Sequence, residues 1–247
     1  MNLVGGMPAT DDEIREKYLE RAIRELNTFT HDLQSCERCA RGNLMPVLGS
    51  GHPQADVFLL KYAPTPAEVE EGVAFYGRSG TALMKSLRRL DIDPLVVYGT
   101  LCVKCPVADP SLAAPECVAR LVEEFAIVQP KIVVVMGTDA LDVLNDLQLP
   151  LAREILEIPG DIQRLTPSIE ALYVPDIDRS LDEESAKRAV WRAFRELGTW
   201  WSDFPPSSPS PSWPGPASAT GWTTGPSARR WASRPSASTP TRRTKAP

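Results

Sequence analysis

The chemistry in this sequence starts with sulfur. Cys36-Glu-Arg-Cys39 and Cys102-Val-Lys-Cys105 each place two thiols three residues apart, and Cys117 adds a fifth. Two thiolates at that spacing can reach one metal ion, and a distant partner closes the site once the fold brings it near. Sulfur-rich ligation favours zinc or iron–sulfur. Spacing alone fits a zinc site from Cys36, Cys39, Cys102 and Cys105. Disulfides are not expected. Met1 to Thr10 lacks the basic start and apolar stretch of a secretory signal, so the chain is read as cytoplasmic, where thiols stay reduced.

Carboxylates form the second group of interest. Asp176 and Asp178 sit in Pro175-Asp-Ile-Asp-Arg179, and Glu68, Glu70 and Glu71 occupy what reads as a charged loop. Carboxylates of this kind could support a cationic sugar or position water. Acids ahead of a helix also stabilise its dipole, which is the plainer role for the aspartates. His31 and His52 read as solvated.

Elements must position these groups. Ile14, Tyr18, Ala22, Ile23 and Leu26 recur at helical spacing after Thr10-Asp-Asp-Glu13, a capping box. This predicts a leader helix from Asp11 to about Leu33. Apolar runs at 56–60, 95–98, 131–136 and 171–174 read as buried strands. Helical patterns fall at 79–90, 115–127, 139–147 and 181–197, the last with Ser180 and Glu183 as its capping box. Strands alternating with amphipathic helices predict an α/β fold: a three-layer α/β/α sandwich with a mainly parallel central sheet. Gly137 after the Val133–Met136 run marks a strand-to-helix turn of the kind that faces ligand crevices.

Composition sets the limits. The 247 residues are 43% hydrophobic and 24% charged, with a net charge of −5. No apolar run reaches the roughly eighteen residues of a membrane span, so no membrane role is expected. From Pro205 onward there is no acid, only scattered Arg and Lys among Pro, Ser, Thr and Ala. Residues 205–247 therefore read as a disordered tail, unable to bury enough surface to offset chain entropy, and 11–201 as the folded domain. The acidic body argues against strong nonspecific phosphate binding, which depends on Lys and Arg. A local basic groove is compatible with it.

The order of segments resembles the family 4 uracil-DNA glycosylases. The matching pieces are the leader helix, Cys36-x-x-Cys39, Lys61-Tyr-Ala-Pro-Thr65, Ala74-Phe-Tyr-Gly-Arg-Ser-Gly80, Thr100-Leu-Cys-Val-Lys-Cys105, Cys117, Met136-Gly137 and Tyr173-Val-Pro175. The resemblance implies a uracil-DNA glycosylase-like fold, DNA as partner, and a [4Fe–4S] cluster held by Cys36, Cys39, Cys105 and Cys117. Cys102 is then spare, and zinc is the alternative metal. The loop from Cys105 to Cys117 is shorter than the family's and lacks the Asn-Arg that follows its Lys-Cys-x-Pro.

By the same resemblance a base pocket would comprise Tyr62, Ala63, Pro64, Phe75, Leu101, Val174 and Pro175. Phe75 keeps the stacking position. Tyr62 stands in place of the acidic residue, Leu101 in place of the base-reading Asn, and Val174 in place of the His before proline. Base excision needs an extruded nucleotide and a stabilised leaving base. Losing one positioned acid–base or charge-stabilising group commonly costs about 10²- to 10⁴-fold in rate. Ordinary uracil excision is therefore not expected. A glycosylase acting on damaged bases, a noncatalytic nucleic-acid or protein-binding module and a zinc-stabilised structural protein are the three functional expectations. No protein partner is identified.

Overall fold

The computed structural model describes residues 10–203. The expectation for the tail, 205–247, falls outside the described residues. Six strands form one sheet in the order β1-β3-β2-β4-β6-β5: β1 (Ser50–Gly51), β2 (Val57–Lys61), β3 (Val97–Leu101), β4 (Ile132–Met136), β5 (Ile162–Arg164) and β6 (Glu170–Val174). The four inner strands are parallel, and the short edge strands β1 and β5 pair antiparallel. The sequence pattern missed both edges, which are too short to show a period.

β2, β3 and β4 are buried along their whole length, as strands covered on both faces must be. Alternate side chains feed two cores. On one face, Phe58, Leu60, Val133 and Val135 meet Leu121 and Phe125 of α4 (Pro115–Val128) and Leu141 of α5 (Thr138–Asp146). The Phe58 and Phe125 rings stack at 4.6 Å. Leu26 of α1 (Asp11–Gln34) packs against this core. On the other face, Leu59, Val134 and Leu172 meet Leu83 and Leu87 of α3 (Arg78–Arg89) and Val190, Phe194 and Leu197 of α7 (Glu184–Asp203).

Thr10 caps α1 with Glu13 as expected, but Ile14, Tyr18 and Ile23 stay exposed, and burial falls on Ala22, Phe29 and Leu33. Two further expectations are corrected. The segment carrying Glu68, Glu70 and Glu71 is a helix, α2 (Pro66–Glu71), started by Pro66 and a Thr65–Glu68 capping box. Ser180 does not cap α7. It ends the short α6 (Ile177–Ser180) and donates its hydroxyl to the Ile177 carbonyl at 2.8 Å.

Candidate functional site

Two sites are built at the carboxyl ends of the parallel strands. The first is the thiol centre. Cys39, Cys105 and Cys117 are buried, and their sulfurs all lie within 4.8 Å of one another. Cys105 follows β3 and Cys117 sits in the first turn of α4. The two elements are tied by a fully buried ion pair, Lys104–Glu124, at 2.6 Å. Lys104 also donates to the Leu101 carbonyl (2.7 Å), and Tyr98 and Thr100 donate to Glu124 (2.9 and 3.0 Å). Buried charges require such complete pairing. The Cys36–Cys39 loop is brought in by Arg38, which pairs with Glu116 beside Cys117 at 2.6 Å, and by Arg41, which donates to the Cys36 carbonyl at 2.8 Å.

Cys36 lies outside the three-sulfur group, half-buried in the same loop. Cys102 faces elsewhere, in the α4-side core. The spacing-based set of Cys36, Cys39, Cys102 and Cys105 is thus not the one the fold gathers. Cys117 is lowered to about 5, first by its hydrogen bond with Cys105 and then by nearby backbone donors and Lys104. Cys105 is pushed up by sharing that bond, by burial and by the Cys117 charge. Burial also raises Cys39. Three buried sulfurs gathered within 4.8 Å of one another are a donor set suited to a thiolate-bound metal.

The second site is the carboxyl edge of the parallel strands, where a ligand crevice is expected in this class of fold. Strand register aligns Leu101, Lys61, Met136 and Val174 in one row across β3, β2, β4 and β6. The next residues, Tyr62, Gly137 and Pro175, start the crevice loops. Leu101 and Val174 are fully buried. Tyr62 is half-buried against the α4-side core, and burial raises its hydroxyl pKa. Ala63 and Pro64 are half-buried in the β2–α2 loop.

Phe75 adopts φ 59°, an uncommon backbone region for a non-glycine residue. Its ring lies so close to Gly99 of β3 that a Cβ there would approach to 2.6 Å. Phe75 is therefore held by both its backbone and its ring. Its ring is half-buried between the sheet and the crevice.

Lys61 is the residue that sequence reasoning missed. Its ammonium is 4% exposed, pairs with Glu68 at 2.7 Å and Asp178 at 2.6 Å, and stands 5.6 Å from the Phe75 ring centre. Glu68 is fully buried, correcting its reading as a solvated loop acid. It also accepts from Thr65 and from the Phe75 backbone N–H. Glu68 thus sets both Lys61 and Phe75. The Thr65-x-x-Glu68 spacing carried this signal; the lysine ending an apolar strand carried none.

The two aspartates part company. Asp176 caps α6, accepting from the Asp178 and Arg179 amides. It lies beside Gly137, whose φ of 88° is a region L side chains rarely adopt and where an added Cβ would come within 3.2 Å of the Asp176 Cβ. Asp178 instead turns to Lys61 and pairs with it at 2.6 Å. His31 is exposed, and the half-buried His52 ring accepts from the Gln54 amide at Nδ1.

The comparisons agree with this geometry. A family model described as "Uracil DNA glycosylase superfamily" matches residues 48–212. The chain is 30% identical over 123 residues to a type-4 uracil-DNA glycosylase of Sulfurisphaera tokodaii, covering 45% of this chain and 54% of that protein. It is 25% identical over 133 residues to a type-4 uracil-DNA glycosylase of Archaeoglobus fulgidus, covering 51% of this chain and 66% of that protein. The matched region thus spans between about half and two thirds of these relatives. With a parallel inner sheet and a gathered thiol group, the chain belongs to the uracil DNA glycosylase superfamily.

Proposed function

We propose that the chain binds DNA and engages a damaged or unusual base in the crevice beside Phe75, through chemistry other than that of uracil excision. The observation that carries this reading is the buried Lys61, held between Glu68 and Asp178 next to Phe75. The row that would read and release uracil is apolar at Leu101 and Val174, and the one charged donor in that row is this ammonium. A lysine N–H can donate to a base carbonyl, and its charge favours an anionic leaving base. Asp178, on the more exposed side of the ion pair, is the carboxylate placed to meet an incoming nucleotide. Asp176 is committed to its helix cap.

The thiol centre supports the same assignment. Cys39, Cys105 and Cys117 would hold the metal, with Cys36 from the adjoining loop as the fourth ligand. The sulfur-only donor set suits a [4Fe–4S] cluster, and zinc is the alternative. Bound there, the group would cross-link the leader loop, the end of β3 and the start of α4.

A noncatalytic role is the second reading, favoured by the closed floor: Lys61, Leu101 and Val174 are 4%, 0% and 0% exposed. One experiment separates the two. The chain is incubated with oligonucleotides carrying uracil, hypoxanthine or xanthine, single- and double-stranded, and assayed for abasic product and for binding. Abasic product with a nonstandard base and none with uracil is the expected result. Binding without product establishes the second reading, and neither product nor binding removes both.

A further inference from the structure

The two helical layers carry opposite charge. α3 contains Arg78, Lys85, Arg88 and Arg89 and no acid. α7 contributes Lys187, Arg188, Arg192 and Arg195 before its first internal acid, Glu196. The opposite layer is acidic: α5 carries Asp139, Asp142 and Asp146 with no base, and α4 sets Glu116, Glu123 and Glu124 against Arg120.

Arg188, Arg192 and Arg195 recur at i, i+4 and i+7, so they form one stripe, about 10 Å long at the helical rise. All three are exposed, as are Lys85, Arg88 and Arg89. The Arg89 guanidinium lies 5.8 Å from the Trp191 ring centre, which joins the two basic arrays into one surface. Arg78 and Lys187 have carboxylate partners, Asp182 and Glu184. Among the described residues, Lys85, Arg88, Arg192 and Arg195 form no ion pair, and Arg188 acts on Glu184 one turn away without a contact pair.

Folding does not account for this pattern. Like charges at i, i+4 destabilise a helix slightly. The helix dipole favours Arg88 and Arg89 in the last turn of α3, but not Arg188 near the start of α7. Nor does the surface suit a protein or membrane partner. No large hydrophobic residue of α3 or α7 is exposed, although α1 exposes Ile14, Tyr18 and Ile23. Protein interfaces need an apolar core and membrane-bound helices an apolar wedge. A cationic stripe with no fully exposed large apolar side chain matches a polyanion backbone, and DNA carries one charge per about 1.7 Å of duplex axis.

We infer that the α3–α7 face is a docking surface for the phosphate backbone of nucleic acid. α3 starts three residues after Phe75, so this face begins next to that residue. The inference rests on the nucleic-acid reading above for the identity of its polyanion.

The test uses the full chain and a fluorescein-labelled oligonucleotide, single-stranded and duplex, followed by anisotropy over a salt series. Two triple reversals, R188E/R192E/R195E and K85E/R88E/R89E, are compared with the unaltered protein. Each is expected to weaken binding at least about tenfold at low salt and to flatten the slope of log affinity against log salt by about 2. Circular dichroism checks folding, and R188Q/R192Q/R195Q replaces the first reversal if it does not fold. Affinity and slope unchanged in both reversals overturn this surface alone, leaving the crevice reading intact. No nucleic-acid binding by the unaltered protein overturns both. Binding only to anionic vesicles, or self-association abolished by the same reversals without nucleic-acid binding, overturns the inference in favour of those partners.

Discussion

The two faces of the sheet solve the same packing problem and then diverge in what they do with charge. Each buries a continuous apolar layer, built around Phe58 and Phe125 on one side and around Leu87 and Phe194 on the other. On the α4 side the ions that matter are internal. Lys104 and Glu124 are fully buried and orient the thiol centre. On the α7 side the basic residues of α3 and α7 are external, and the buried charge is confined to Lys61 and Glu68 at the carboxyl end of β2. Buried ions fix geometry because each must find a partner, whereas exposed ions leave the fold untouched and remain available to another molecule. One face is therefore organised inward around sulfur, and the other outward.

The largest effect that would break this contrast lies in the thiol centre. Cys105→Ser should abolish bound metal in the purified protein, read by elemental analysis and visible absorbance. Cys102→Ser, in the adjacent core, should keep it. Equal retention in both would separate the sulfur group from metal binding. Next comes the internal ion pair. Lys104→Met leaves Glu124 buried and unpaired and should cost about 3–5 kcal/mol in urea unfolding, and K104M/E124L should recover most of that loss. A single-variant cost below about 1 kcal/mol would show that the pair does not organise this face.

The exposed acids give a smaller effect. Neutralising Asp142 and Asp146 of α5 should leave oligonucleotide affinity unchanged within about twofold, because the docking charge lies across the sheet. The smallest effect belongs to the outward face itself. Arg188→Ala, Arg192→Ala or Arg195→Ala should each alter stability by no more than about 0.5 kcal/mol. A larger loss would mean that these cations do serve the fold.

Much of this architecture was legible in advance, with physical reasons. Apolar runs bounded by helical patterns located three of the four parallel strands, because strands covered on both faces carry no polar alternation. The run at 95–98 instead begins in a 3-10 turn, Pro94–Val96, and its strand is Val97–Leu101. The capping signature of Thr10 held, since that rule needs only neighbouring residues. Ser180 failed as a cap because a separate turn of helix, α6, intervenes. Glu124 shares a helical stripe with Cys117, Leu121 and Val128, a buried-acid signal that periodicity could have yielded. Lys61 offered no such signal, since a lysine closing an apolar strand looks like an ordinary polar stop.

By itself the sequence determined the class of fold, the family and the supply of thiols, because these depend on residue type, spacing and order along the chain. Only the tertiary structure decided which sulfurs meet, that Asp178 rather than Asp176 pairs with Lys61, and that the basic residues of α3 and α7 share a surface. Those outcomes depend on strand register and helix packing, which join positions more than a hundred residues apart, as between Lys61 and Asp178. Short-range patterns carry no information at that distance.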